Sequence, residues 1–193
     1  MSDPTAPDAP LQPAYDPDTL REVYPDAAAV AARIDHLHVE LRAAPDEIAE
    51  LLARGELTDL LRGIGELDRA LNEANAAVDR AEIAGTPAQQ HLARLRLAHV
   101  HQQRGEFADS TVLVTELLAA AGQFGPVIEA FTHQQAGLND FAQGHWADAG
   151  AHFARALAIR DALELPDPER EQSRVALAAA QGRQRTQRPG ETP

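Results

Sequence analysis

The stretch GHWADAGAHFARALAIRDAL, residues 144–163, decides the fold class of this chain. Trp146, Ala149, Phe153 and Ala156 recur at steps of three, four and three residues, so they share one face of an α-helix. The charged residues lie mostly off that face. Large rings that alternate with alanines are typical of a helix packed closely against another helix. The stretch therefore predicts one member of a tightly packed helical pair.

Helix signals continue on both sides of this stretch. Pro25-Asp26, Pro45-Asp46 and Thr86-Pro87 are typical of helix starts. No segment shows the sustained apolar–polar alternation of a strand, and Asn-Gly and Asp-Gly hairpin turns do not occur in the sequence. We predict an all-α fold whose eight helices span residues 26–43, 46–64, 66–84, 87–104, 106–121, 125–143, 146–164 and 167–182.

A repeat underlies this pattern. Gly65, Gly105 and Gly144 are spaced 40 and 39 residues apart, and similar residues follow each of them at the same offsets. The residues that follow the three glycines at offsets of two, five, nine and twelve are Leu67, Phe107 and Trp146; Ala70, Ser110 and Ala149; Ala74, Val114 and Phe153; and Ala77, Leu117 and Ala156. Glycine suits a tight turn between two helices, and alanine allows their backbones to approach closely.

The pattern resembles the tetratricopeptide repeat, in the longer-period form seen in kinesin light chains and related bacterial proteins. The resemblance covers residues 46–165. It implies a right-handed superhelical stack of antiparallel helix hairpins, an α-solenoid, with about three repeats over residues 46–84, 87–122 and 125–165. Residues 26–43 and 167–182 would then be cap helices that shield the ends of the stack. In this arrangement Trp146 and Phe153 are expected to be buried.

The ends of the chain differ from this helical domain, which we place at residues 18–183. Residues 1–17 are acidic, with prolines at every third position from Pro4 to Pro13, and residues 184–193 are polar. Both segments are predicted to be disordered tails because they have little apolar surface to bury. The proline spacing also favours polyproline II, so the first tail could instead be a ligand motif for an aromatic groove.

Composition excludes several classes of partner. The formal net charge is −13, which repels the phosphates of DNA and RNA. No cysteine is present, and no apolar run approaches the length of a membrane span. The first residues lack the apolar core of a secretion signal. We therefore expect a cytoplasmic protein that binds neither nucleic acid nor membrane.

Metal and catalytic signals are weak. A helical metal pair needs ligands four residues apart, whereas His36 and His38 are separated by two residues, and His145 and His152 by seven. No phosphate-binding loop or nucleophile elbow occurs, and the acidic pairs lie on what the periodicity predicts to be solvated faces. We expect no metal, no cofactor and no enzymatic activity.

The resemblance implies that the first helix of each hairpin lines a concave groove that takes peptides or helices. The positions that would face this groove are Leu52, Asp59 and Arg62; Leu95, His99, Gln102 and Gln103; and Phe131, Gln134, Gln135, Leu138 and Phe141. Apolar side chains there could bury an anchor residue, while the glutamine amides pair with a ligand's backbone. The same apolar side chains could equally serve core packing.

These observations predict a non-enzymatic adaptor or scaffold that binds a peptide or helix of another protein. The acidic surface favours a basic or amphipathic partner. A self-associating structural protein remains the alternative, with the same surface serving as a homodimer interface.

Overall fold

The computed structural model describes residue 11 and residues 13–187 of the chain. The predicted all-α class and its eight helices are confirmed within this range. The helices are α1 Ala27–Ala43, α2 Glu47–Gly63, α3 Leu67–Ala84, α4 Pro87–Arg104, α5 Phe107–Ala120, α6 Pro126–Ala142, α7 Trp146–Ala162 and α8 Asp167–Gln187. A short 3₁₀ turn, Ala121–Phe124, precedes α6. Residues 184–187, which the sequence assigned to a disordered tail, continue α8, and residues 188–193 lie outside the described range.

One element was not predicted. Strand β1, Ala14–Tyr15, pairs antiparallel with β2, Glu22–Val23, in the register Ala14–Val23 and Tyr15–Glu22. Two residues are too few to produce a visible alternation, which explains why sequence periodicity missed the pair. Strand β1 falls within the segment 1–17 that was predicted to be a tail, whereas residues 1–10 and 12 lie outside the described residues.

The repeat of the sequence corresponds to a repeated turn. Gly65, Gly105 and Gly144 have φ values of 83°, 78° and 82°, a left-handed conformation in which glycine alone carries no steric penalty. In each turn the glycine N–H donates to the carbonyl three residues earlier, at 3.1 Å. The N–H of the next residue donates five residues back, at 2.9 Å. These bonds satisfy carbonyl groups that a helix end leaves open.

A fourth turn, between α7 and α8, has the same hydrogen bonds without a glycine. Glu164 takes a φ of 50°, its N–H donates to the Asp161 carbonyl at 3.1 Å, and the Leu165 N–H donates to the Arg160 carbonyl at 3.1 Å. The side chain of Glu164 is exposed. The backbone of this turn is therefore strained where the three glycine turns are not.

We expect Glu164→Gly to raise the free energy of unfolding by about 0.5–1 kcal/mol, because relief of the left-handed strain outweighs glycine's extra freedom in the unfolded chain. Urea denaturation of both proteins measures the change. Glu164→Ala is the control, since alanine keeps the strain. An unchanged or lowered stability of the glycine variant would show that this turn carries no strain.

The described chain forms two compact units, and the boundary between them falls within α4. The first unit contains residues 21–96 and the described residues up to Asp16. In it, α1 packs against α2 and α2 packs against α3. Asp26 and Asp46 cap α1 and α2 by accepting the N–H groups of Ala29 and Ala49, as the Pro-Asp pairs predicted.

The second unit contains residues 17–20 and those from Leu97 onward. Helix α6 packs against α5 and α7, and α8 packs against α7 and α6. Phe153 is completely buried, and a Cβ placed on Gly137 would lie only 2.5 Å from its ring. The predicted burial is confirmed for Phe153, and the repeat positions Ala149 and Ala156 are also completely buried. Trp146 is only half-buried, contrary to the prediction, because it lies at the exposed start of α7. Its ring meets the Phe141 ring edge-on.

Candidate functional site

The predicted groove residues do not form the open, amide-lined surface that the sequence indicated. Leu52 and Phe131 are the exposed members, at 67% and 40%. His99 and Asp59 are half-buried. Seven of the nine residues proposed on α4 and α6, together with Arg62, are at most 9% exposed: Leu95, Gln102, Gln103, Gln134, Gln135, Leu138 and Phe141. In the second unit, Leu138 and Phe141 are buried because α8 and Leu20 pack against them.

The apolar half of this region holds a segment of the chain itself. Leu20 is 5% exposed and belongs to one apolar cluster with Leu138 and Phe141 of α6 and with Ala176 and Ala180 of α8. We call the surface made by these four residues, together with Arg183 of α8, the α6–α8 groove. Residues 17–20 form the loop of the β1–β2 hairpin, and Leu20 is the one member of this loop that is buried.

A charged contact accompanies this apolar anchor. The Arg183 guanidinium Nη2 donates to Asp18 Oδ1 at 2.9 Å and to the Asp18 carbonyl at 3.4 Å. Both side chains remain substantially exposed, at 45% and 83%. Solvent screens such a pair, so Leu20 provides most of the attraction and Asp18 provides orientation. Leu20 itself has a φ of 56°, a strained conformation for a residue with a branched side chain.

A buried polar network continues the same face of α6 toward its beginning. Arg160, 1% exposed, donates to Ser173 Oγ at 2.8 Å, and Ser173 Oγ donates in turn to Gln134 Oε1 at 2.8 Å. The Arg160 guanidinium carbon lies 5.3 Å from the centre of the exposed Phe131 ring, a cation–π distance. The network therefore fixes Phe131 and Gln134 beside the α6–α8 groove.

Two amide groups on this face have unused donors. The Nε2 atoms of Gln134 and Gln135 are buried, and neither has a hydrogen-bond partner among the described residues. A buried donor without an acceptor costs free energy, which an incoming carbonyl or a water molecule recovers. Because both nitrogens are buried, they do not line an open surface as the sequence indicated.

The opposite face of α6 carries a histidine pair that the sequence did not predict. The Nδ1 atoms of His133 on α6 and His152 on α7 lie 3.0 Å apart, close enough for one ring to donate to the other. Asp140 Oδ2 lies 3.8 Å from His152 Nε2, and Asp140 Oδ1 lies 3.7 Å from His145 Nδ1. Sequence spacing can reveal a pair within one helix, whereas a pair between two helices leaves no regular spacing in the sequence.

Protonation of these groups is shifted by their surroundings. Burial lowers the pKa of His133, and the nearby His152 and Arg155 lower it further, while Glu129 acts in the opposite direction. Burial also raises the pKa of Asp140, against the opposing effect of His152. The lowered pKa of His133 therefore favours its neutral imidazole, and a neutral ring is what the 3.0 Å contact between the two Nδ1 atoms requires on at least one side.

We expect stability to decrease as the pH falls below about 6.5, in part through His133. The unfolded state takes up a proton at the ordinary histidine pKa, whereas the folded state resists it until a lower pH. Urea denaturation between about pH 7.5 and pH 5.5 should show a shallower decline for His133→Gln than for the wild type. His36→Gln, which removes an exposed imidazole from α1, is the control. An identical decline in wild type and His133→Gln would exclude this contribution.

A second cluster, near the Gly105 turn, brings one ligand atom each from His101, Glu106 and Asp109 within 4.8 Å of one another. Glu106 accepts from His101 Nδ1 at 2.7 Å and from Arg104 Nε at 2.8 Å, and these hydrogen bonds lower its pKa. The guanidinium already neutralises the carboxylate. The cluster is therefore explained as an ionic contact across the turn rather than as a metal site.

No protein-family model matches this chain, and no curated protein sequence matches it. Within the described range, none of the helices combines the length and the apolar composition that a bilayer crossing requires. The geometry of the α6–α8 groove thus carries the functional assignment.

Proposed function

We propose that this protein is a non-enzymatic, cytoplasmic scaffold that binds an amphipathic segment of another protein in the α6–α8 groove. One observation carries the proposal: Leu20 of this chain already lies in that groove against Leu138 and Phe141. The groove therefore has the shape and the apolar character to bury a leucine side chain from a non-helical segment.

The tetratricopeptide-like architecture is part of the proposal. Support comes from the three glycine turns, which share φ and hydrogen bonds. It comes also from Ala70, Ser110 and Ala149, which are completely buried at the equivalent position of each unit. Small residues there let paired helices approach closely, as the resemblance implies. A right-handed superhelix is the arrangement that we propose for these hairpins.

The polar groups beside the groove suit binding better than catalysis. Ser173 donates its proton to an amide oxygen and accepts from a guanidinium, and neither group can take up a proton as a general base. The net charge of −13 favours a partner with basic flanks around its apolar anchor.

The decisive experiment uses a labelled peptide with the sequence of residues 13–24, PAYDPDTLREVY. We expect saturable binding, measured by fluorescence anisotropy, to the full-length chain carrying Leu20→Ala, whose internal anchor is removed. Physiological salt is needed because peptide and protein are both acidic.

The same peptide carrying Leu20→Ala is the matched control and should bind at least about tenfold more weakly, as expected when a buried leucine is truncated. Light scattering in parallel tests the alternative of self-association. Absence of saturable binding to the folded Leu20→Ala chain would refute the proposal, and a tight dimer that excludes the peptide would favour the homodimer.

A further inference from the structure

We propose that His133 on α6 and His152 on α7 form a binding site for one divalent transition-metal ion that prefers imidazole ligands, such as Ni²⁺ or Cu²⁺. The site lies outside the α6–α8 groove and goes beyond the proposed function. Spacing along single helices predicted no metal site, whereas these two histidines belong to different helices of one hairpin.

The two ring nitrogens have the separation of two ligands on one ion. His133 Nδ1 and His152 Nδ1 lie 3.0 Å apart, and the ring planes are inclined at 36°. Imidazole nitrogens lie about 2.0–2.1 Å from a bound Zn²⁺, and first-row ions of similar size bind at comparable distances. An ion at this distance from both nitrogens has them close to a right angle apart, as in the tetragonal sites that Ni²⁺ and Cu²⁺ prefer.

Asp140 favours the tautomer of His152 that metal binding requires. Asp140 Oδ2 lies 3.8 Å from His152 Nε2, the ring nitrogen that is not in contact with His133. This distance is too long for a hydrogen bond, but the negative charge favours a proton on Nε2 and so leaves the lone pair on Nδ1. Carboxylates commonly orient metal-ligating histidines from this outer position.

The charges around the pair suit a bound cation. Glu129 acts to raise the pKa of His133, and Asp148 acts to raise that of Asp140, so further carboxylates lie near the site. Arg155, which acts to lower the pKa of His133, donates to Glu129 at 2.6 Å. Its positive charge is therefore offset by Glu129, and the remaining carboxylates attract a divalent ion.

The site is accessible from solvent, and its occupation links two helices. The side chains of His152 and Asp140 are 26% and 24% exposed, so an ion reaches the pair without opening the core. Solvent molecules supply the ligands that the protein does not. An ion held by one residue of α6 and one of α7 binds the folded state in preference to the unfolded state, and it therefore stabilises the second unit.

Isothermal titration calorimetry of the full-length chain with NiCl₂ tests the site, at about pH 7.5 so that histidine lies above its ordinary pKa. We expect wild type to bind one Ni²⁺ through the pair, and His133→Gln and His152→Gln each to bind it at least about tenfold more weakly. Asp140→Ala should weaken binding about tenfold, because an outer carboxylate is lost. His36→Gln and His101→Gln, which remove histidines beside other carboxylates, are the matched controls and should bind as wild type.

A second measurement covers the case in which a variant does not fold. In amide NMR spectra of the wild type, a substoichiometric amount of CuCl₂ should first broaden the signals of residues around His133 and His152, because Cu²⁺ is paramagnetic. Broadening centred on His36 or His101 would overturn the inference. So would the absence of Ni²⁺ binding by the wild type, or unchanged affinity in folded His133→Gln and His152→Gln. None of these outcomes bears on binding in the α6–α8 groove.

Discussion

Truncation of Phe153 to alanine is expected to lower the free energy of unfolding by about 3–5 kcal/mol. Phe153 is completely buried in the second unit, where α6, α7 and α8 meet. Its ring lies against Gly137, and Ala149 lies one turn earlier on α7. Such small neighbours cannot move in to refill the space, so the cavity should persist and the full cost should be observed.

Urea denaturation with Phe131→Ala as the matched control tests this expectation. Phe131 lies on the adjacent helix and is 40% exposed, so the same truncation there should cost less than half as much. A loss below about 1 kcal/mol for Phe153→Ala would contradict the proposed packing of the repeat. An equal loss at both positions would contradict the difference in burial.

Removal of the carboxylate of Glu22 is expected to cost about 3 kcal/mol, because it leaves Arg62 with an inadequately compensated charge. Arg62 Nη2 lies 2.7 Å from Glu22 Oε2, and the two side chains are 3% and 13% exposed. Asp59, at 3.6 Å from the same nitrogen, offsets part of the loss and keeps it at the low end of the range for buried pairs.

The direction of the Glu22 shift predicts how the pair responds to double substitution. Burial raises the pKa of Glu22 although Arg62 acts to lower it, so the ion pair does not fully offset its own desolvation. Glu22→Ala with Arg62→Met should therefore be much less destabilised than Glu22→Ala alone. A double variant that is as unstable as the sum of both singles would contradict the coupling. Denaturant midpoints and slopes of the four proteins provide the comparison.

The sequence predicted the starts and ends of the helices, which depend on residues that are close together along the chain. Helix starts at Asp26 and Asp46 follow from side chains that accept N–H groups three residues later. The ends at Gly65, Gly105 and Gly144 follow from a backbone conformation that glycine adopts without strain. These effects act within one helical turn, so the eight helices could be placed before any packing was known.

The candidate site depended on contacts that no local pattern contains. His133 and His152 lie 19 residues apart on different helices, and their pairing is set by how α6 packs against α7. Of the groove residues predicted on α6, Leu138 and Phe141 pack against α8 and Leu20, and their burial depends on these contacts. Tyr15 lies in the segment that was predicted to be a disordered tail, whereas Leu20, Val23 and Tyr24 follow it within the predicted domain; such a cluster of apolar side chains was a signal that this region folds.

The sequence by itself thus determined the helices, the turns between them and the apolar face of each one, because short-range hydrogen bonds and periodicity specify these features. Only the tertiary structure decided which faces remain exposed and that Leu20 packs into the α6–α8 groove. The physical reason is that burial of an apolar face is non-directional. An apolar face such as that of Phe131, Leu138 and Phe141 can be buried by any apolar segment that packs against it. The sequence pattern therefore does not specify which segment of the chain does so.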